Sequence, residues 1–174
     1  MTLVPLKGGI DYPTDRKTMG YFDKPTDAPL LPGRLEPINK DRIMKALDSQ
    51  EYHYTVDEDG DIWGGWDSNT FWFVLMGRAQ EILVVRGRWD KRLDPQQRAE
   101  VLPILDDWSR QHIFPKPLTV TFEEDGDLRV FGEVSIDCEN GISDEQLLLH
   151  IEAGIKTSLD MFEEVAKHFP NARD

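Results

Sequence analysis

The stretch YHYTVDEDGDIWGGWDSNTFWFVLMGRAQEILVVRGRW, residues 52–89, decides the fold. It divides into four segments rich in β-branched and aromatic residues, at 52–56, 62–66, 70–76 and 81–89. Turn-forming runs at 57–61, 67–69 and 77–80 separate them. Connections that short close hairpins but cannot carry a crossover, so the spacing predicts an antiparallel meander. Side chains alternate along a strand, which puts Trp72 on the face opposite Phe71 and Phe73. Both faces of this sheet therefore carry aromatic rings. One face should meet helices, and the other a second layer, a partner or a groove.

Helices flank the meander. On its N-terminal side Asn39 caps a helix through Asp48, with Ile43, Met44 and Leu47 on one buried face. On its C-terminal side Asp94-Pro95-Gln96-Gln97 starts a helix to about Gln111, with Val101, Leu102, Leu105 and Trp108 as its apolar stripe. Pro103 lies inside that helix and predicts a kink. Pro115 and Pro117 then lead into a strand at 118–123, and an Asp125-Gly126 turn joins it to a strand at 128–137. Ser143-Asp144-Glu145-Gln146 is a capping box that opens a long helix, with Leu147, Ile151, Ile155, Leu159 and Phe162 stepping along one face and Pro170 ending it. Gly154 in mid-helix costs about 1 kcal/mol relative to Ala and permits close approach of another backbone. The order α-β-β-β-β-α-β-β-α contains no βαβ unit. It predicts an α+β fold, an antiparallel sheet with packed helices.

Residues 1–36 differ from the rest. Pro5, Pro13, Pro25, Pro29 and Pro32 break any period, yet Tyr21, Phe22, Leu30 and Leu31 are apolar. The segment reads as an irregular arm lying across the domain or a neighbouring subunit, with one domain over residues 37–174. The chain of 174 residues has a net charge of −13, and residues 1–36 contribute none of it. Such acidity argues against nucleic acid and anionic membranes as partners, because phosphate contacts require clustered Lys and Arg. The sole basic island is Arg86, Arg88, Lys91, Arg92 and Arg98, interrupted by Asp90 and Asp94. The longest apolar run, Phe71 to Met76, is too short to span a bilayer, and the first residues lack a signal-peptide layout, so a cytoplasmic location is expected. A single cysteine, Cys138, excludes an internal disulfide framework.

The residues supply no recognisable chemistry. Segments 55–61 and 121–127 repeat an acidic Asp-Gly-Asp pattern, but the calcium-loop spacing fails: the position needing a bidentate Glu holds Trp66 in one copy and Gly132 in the other. Tight hairpins with solvated carboxylates at their tips explain both copies. His53, His112, His150 and His168 form no metal motif, Cys138 no nucleophile motif, and Gly64-Gly65 no phosphate loop. No catalytic, cofactor or metal residue is assigned. Trp66, Trp72, Arg86, Arg88 and Trp89 are instead the residue types favoured at protein interfaces, and with Gly154 they form the candidate partner-binding or dimer surface.

Particular motifs also point to a family. Pro115-Lys116-Pro117-Leu118-Thr119-Val120 precedes Glu123-Glu124-Asp125-Gly126-Asp127-Leu128, and Val134-Ser135-Ile136-Asp137-Cys138 continues through Glu139-Asn140-Gly141-Ile142-Ser143 into the terminal helix. With the hairpin at 57–62, the Phe71-Trp72-Phe73 strand and Leu105-Asp106-Asp107-Trp108, these motifs resemble the YbjN family, associated with bacterial sensory transduction regulation, over residues 37–170. The resemblance implies a twisted antiparallel sheet similar to type III secretion chaperones, commonly homodimeric, with no catalytic residues to carry over. Such chaperones present a surface to extended peptides. The expected function is a non-enzymatic homodimeric module that binds a protein or peptide. The alternative is a small-ligand sensor with a pocket between sheet and helices, lined by tryptophans.

Overall fold

The computed structural model describes residues 33–174, so the arm expected over residues 1–36 lies almost wholly outside the described residues. Helix α1 (Lys40–Ser49) begins at Asn39, whose Oδ1 accepts a hydrogen bond from the Arg42 N–H at 2.9 Å. Its exit explains why the first strand is shorter than its β-rich sequence. Glu51 has φ +55°, and the Glu51 and Tyr52 N–H groups donate back to the Asp48 and Leu47 carbonyls at 3.0 and 3.1 Å. These bonds close the helix in the manner usually given to glycine. Residues 50–52 are committed to the helix end, and β1 (Tyr54–Val56) starts only after them.

The meander then follows as expected through β2 (Ile62–Trp66), β3 (Asn69–Met76) and β4 (Ile82–Arg88). Gly60 and Gly126 both take positive φ at the two Asp-Gly turns, the conformation that tight hairpins need. A 3-10 turn at Pro95–Gln97 leads into α2 (Arg98–Gln111), with Gln97 Oε1 accepting from the Asp94 N–H at 2.8 Å. Helix α2 is continuous past Pro103. Leu102 departs from the expected stripe: it is 43% exposed, whereas Val101, Leu105 and Trp108 are buried. One residue advances the helix by about 100°, which carries Leu102 off the face set by its neighbours.

Strand β5 (Lys116–Thr121) starts earlier than expected and contains Pro117. It tolerates the missing N–H because it is an edge strand, paired only with β6 (Leu128–Asp137). The sheet has six antiparallel strands in the order β1-β2-β3-β4-β6-β5, the second hairpin being joined to the meander by β4–β6 pairing. The long helix α3 (Asp144–His168) opens with the capping box: Ser143 Oγ accepts from the Gln146 N–H and Gln146 Oε1 accepts from the Ser143 N–H, both at 3.2 Å. All three helices contribute to one core with Phe71, Phe73, Leu83 and Val85, on one face of the sheet. The expected α+β class and element order hold.

Two polar anchors tie distant segments together. Arg42, 11% exposed at its side chain, donates to the Glu36, Pro37 and Ile142 carbonyls and to Asp144, the last at 2.7 Å. It thereby fixes α1 to the N-terminus of α3. The second anchor corrects the view that the Asp-Gly turns carry only solvated carboxylates. Asp127 is 6% exposed and accepts from Arg173 at 2.5 Å and Arg129 at 3.4 Å, with Arg92 at 3.8 Å.

These contacts set an acid limit on stability. The hydrogen bond from Arg42, followed by its charge, holds the Asp144 carboxyl below its ordinary value, while the Asp127 N–H and then Arg129 do the same for Asp125. A carboxyl whose folded pKa is depressed stabilises the fold fully above the unfolded value, and that contribution is lost as pH falls through the folded value. The unfolding temperature should therefore hold above about pH 5 and drop below about pH 4, near and below the free carboxyl range. Arg42→Ala should lower the neutral-pH value in differential scanning calorimetry and flatten the acid limb. An acid limb of unchanged slope in that variant would remove Arg42–Asp144 from the account.

Candidate functional site

The candidate surface splits between the two faces of the sheet. Trp72, Arg86 and Arg88 lie together on the face away from the helices. Register places Trp63 opposite Trp72, Trp72 opposite Arg86, Arg86 opposite Glu133 and Glu133 opposite Lys116, one row across five strands. The Arg88 guanidinium carbon lies 5.3 Å from the centroid of Trp72, and Arg86 pairs with Glu133 at 2.5 Å. Burial first, then the charges of Arg129 and Arg92, lowers the Arg88 guanidinium pKa below its ordinary value, and partial removal from water strengthens its contact with Trp72. Further along the same face Phe122 stacks on Phe131 with centroids 6.3 Å apart, and Arg129 lies over Phe122. Trp63, Met76 and Val120 on this face are 37%, 48% and 45% exposed.

Trp66, Trp89 and Gly154 belong to the helix side. Gly154 is a correction to the proposed partner surface: it is buried, and a Cβ built on it would lie 2.7 Å from Val85 Cβ. The close approach that glycine permits is to β4 of the same chain. Trp89 is 4% exposed and belongs to the core. Trp66 is half-buried, with Tyr52, Phe71 and Phe73 edge-on around it at 5.6–5.8 Å. It lines a groove of about 1140 Å³ between α3, the β2–β3 turn and the segment after β4.

Among the described residues no group of three or more His, Cys, Asp or Glu is placed to hold a metal ion. Cys138 is buried, and burial raises its thiol pKa, which opposes thiolate chemistry. His112 stacks on Trp108 at 3.7 Å, and burial lowers the His150 pKa.

A family model described as "YbjN: putative bacterial sensory transduction regulator" matches residues 39–167. The chain belongs to the YbjN family. The match agrees with the motifs quoted over residues 37–170. Among solved structures, the crystal structure of YbjN, "a putative transcription regulator from E. coli", is similar with a TM-score of 0.68 at 11% identity, over 78% of this chain and 96% of that one. At that identity the likeness shows the fold. A chain of the HopA1-SchA chaperone-effector complex gives a TM-score of 0.45 at 16% identity, over 73% of this chain and 96% of that one. No match is found among curated proteins. Among the described residues no helix of this YbjN-family chain is long and apolar enough to cross a membrane.

Three features of this YbjN-family protein escape a sequence reading. Trp63 joins the Trp72 row, but its place depends on the β2–β3 register. Arg42 finds its carboxylate 102 residues away, and Asp127 meets Arg173 across 46. Nothing local marks either pair.

Proposed function

We propose that this YbjN-family protein is a regulatory module without chemistry of its own, that it works by binding protein, and that two copies assemble through the sheet face away from the helices. The observation that carries the proposal is the Trp63–Trp72–Arg86–Arg88 array. Trp and Arg are the residues most enriched where interfaces concentrate their binding energy, and on the same face Met76 and Val120 are also exposed. Aromatic and apolar side chains exposed beside a paired Arg86–Glu133 give such a face both the apolar and the polar contacts that an interface uses. Family membership supports a regulatory role.

Static light scattering tests the assembly. At roughly micromolar concentration, where an obligate dimer persists, the mass should be twice the 20.1 kDa of the chain. Trp72→Glu should return a monomer with an unchanged far-ultraviolet spectrum, since Trp72 lies outside the core. A wild-type protein that is monomeric there, or a Trp72→Glu variant that stays dimeric, overturns the assembly.

A further inference from the structure

The groove beside Trp66 has a different character from the sheet face. Its floor is apolar, with Tyr52, Trp66, Leu159, Phe162 and Ala166, and Leu149 stands at one end, 62% exposed. From Leu149 to Ala166 the lining runs about 25 Å along α3 at the standard rise. Its volume of about 1140 Å³ exceeds the usual range of small-molecule sites, roughly 300–1,000 Å³. That length suits about four turns of helix, as in helix-in-groove recognition.

The charge on the walls selects the occupant. Five carboxylates, on Asp67, Asp90, Glu152, Asp160 and Glu163, line the groove against two lysines. Both lysines are already engaged: Lys156 with Asp160 at 2.9 Å, and Lys91 with Asp90 at 3.3 Å and with Asp174. Asp67, Glu152 and Glu163 make no ion pair among the described residues. An apolar floor between unpaired carboxylates is complementary to leucine-like side chains flanked by Lys or Arg.

We propose that this groove is a second recognition site, for an amphipathic basic helix of a partner protein. It goes beyond the assembly through the sheet face and uses none of its residues. The test is fluorescence anisotropy of the full chain with a labelled 18-residue Leu/Lys amphipathic peptide, beside its Leu/Glu counterpart. The Leu/Lys peptide should bind and the Leu/Glu peptide should not. Glu152→Lys with Glu163→Lys should weaken binding about tenfold, as expected when two partly exposed attractions become repulsions. Glu123→Lys with Glu124→Lys, an equal change of net charge at the β5–β6 turn, should leave it unaltered. Trp72→Glu should also bind normally, which separates failure of the groove from failure of the dimer. Equal weakening by both charge reversals would show attraction to net charge alone and overturn the site. So would equal binding of the acidic peptide, binding unaffected by Glu152→Lys with Glu163→Lys, or no binding up to about 1 mM, where the free energy of association is only about −4 kcal/mol.

Discussion

Asp127→Ala is expected to cost about 3–5 kcal/mol, the range found when one partner of a buried ion pair is removed. The Asp127 carboxylate, 8% exposed, is the shared acceptor of Arg173 at 2.5 Å and Arg129 at 3.4 Å, and Arg129 is itself 10% exposed. Removing the carboxylate leaves Arg129 with Asp125 alone, whose side chain is 35% exposed and therefore screened by water. The same change removes one tie of the C-terminal segment, which keeps the β-bridge between Arg173 and Arg92 and the pair of Arg173 with Asp94. Arg173→Ala should cost less, because the carboxylate it leaves behind keeps Arg129 at 3.4 Å and Arg92 at 3.8 Å, and the side chain removed is itself 53% exposed. Urea denaturation of the two single variants and the double variant measures the coupling directly. A loss below about 1 kcal/mol for Asp127→Ala would place the cluster among ordinary surface pairs.

Gly132→Val should have an effect of similar size for a different reason. Gly132 of β6 faces Gly87 of β4 in register, beneath α3. A Cβ at Gly132 would lie 2.8 Å from Pro115 Cγ and Ser158 Oγ and 3.2 Å from Met161 Cε, and one at Gly87 would lie 2.5 Å from Phe71 Cε1. Those separations are well inside the carbon contact optimum of about 3.5–4.0 Å. Gly132 against Ser158 and Met161, with Gly154 against Val85, forms a saddle of small residues that lets the helix sit close to the sheet, while Gly87 makes room for the Phe71 ring. Ser158 belongs to it, and its Oγ is buried without a hydrogen-bond partner among the described residues. Overpacking on this scale costs about 3 kcal/mol, or about 10 °C in unfolding temperature for a domain of this size. Gly65→Ala is the internal control. Its nearest atom would be Asn69 O at 3.9 Å, so it should be neutral or slightly stabilising. Equal effects of the two substitutions in calorimetry would contradict the saddle.

The elements were legible where the signal is local. Asn39 and Ser143 cap helices because their side-chain oxygens reach N–H groups within three residues, and the Asp-Gly turns specify their own positive φ. Alternation correctly separated Trp72 from Phe71 and Phe73. Pairing between β4 and β6, more than forty residues apart, has no local signature, and neither do the Arg42 and Asp127 anchors. Gly154 shows the boundary well. Its need for a close neighbour is visible in the sequence, but that the neighbour is Val85 follows only from the packed fold. The candidate surface divides for the same reason: Trp66 and Trp72 look alike as sequence, and strand parity sends them to opposite faces.

The central claim is that the sheet face away from the helices is an interface. Hydroxyl-radical footprinting across a concentration series measures it most directly. Trp63 and Met76, 37% and 48% exposed in the single chain, should lose reactivity as concentration rises, while Leu149, 62% exposed on α3 at the other side of the sheet, should react unchanged. If Trp63 and Met76 remain as reactive at high concentration as at low, the face is free in solution and the account of how this protein assembles is contradicted.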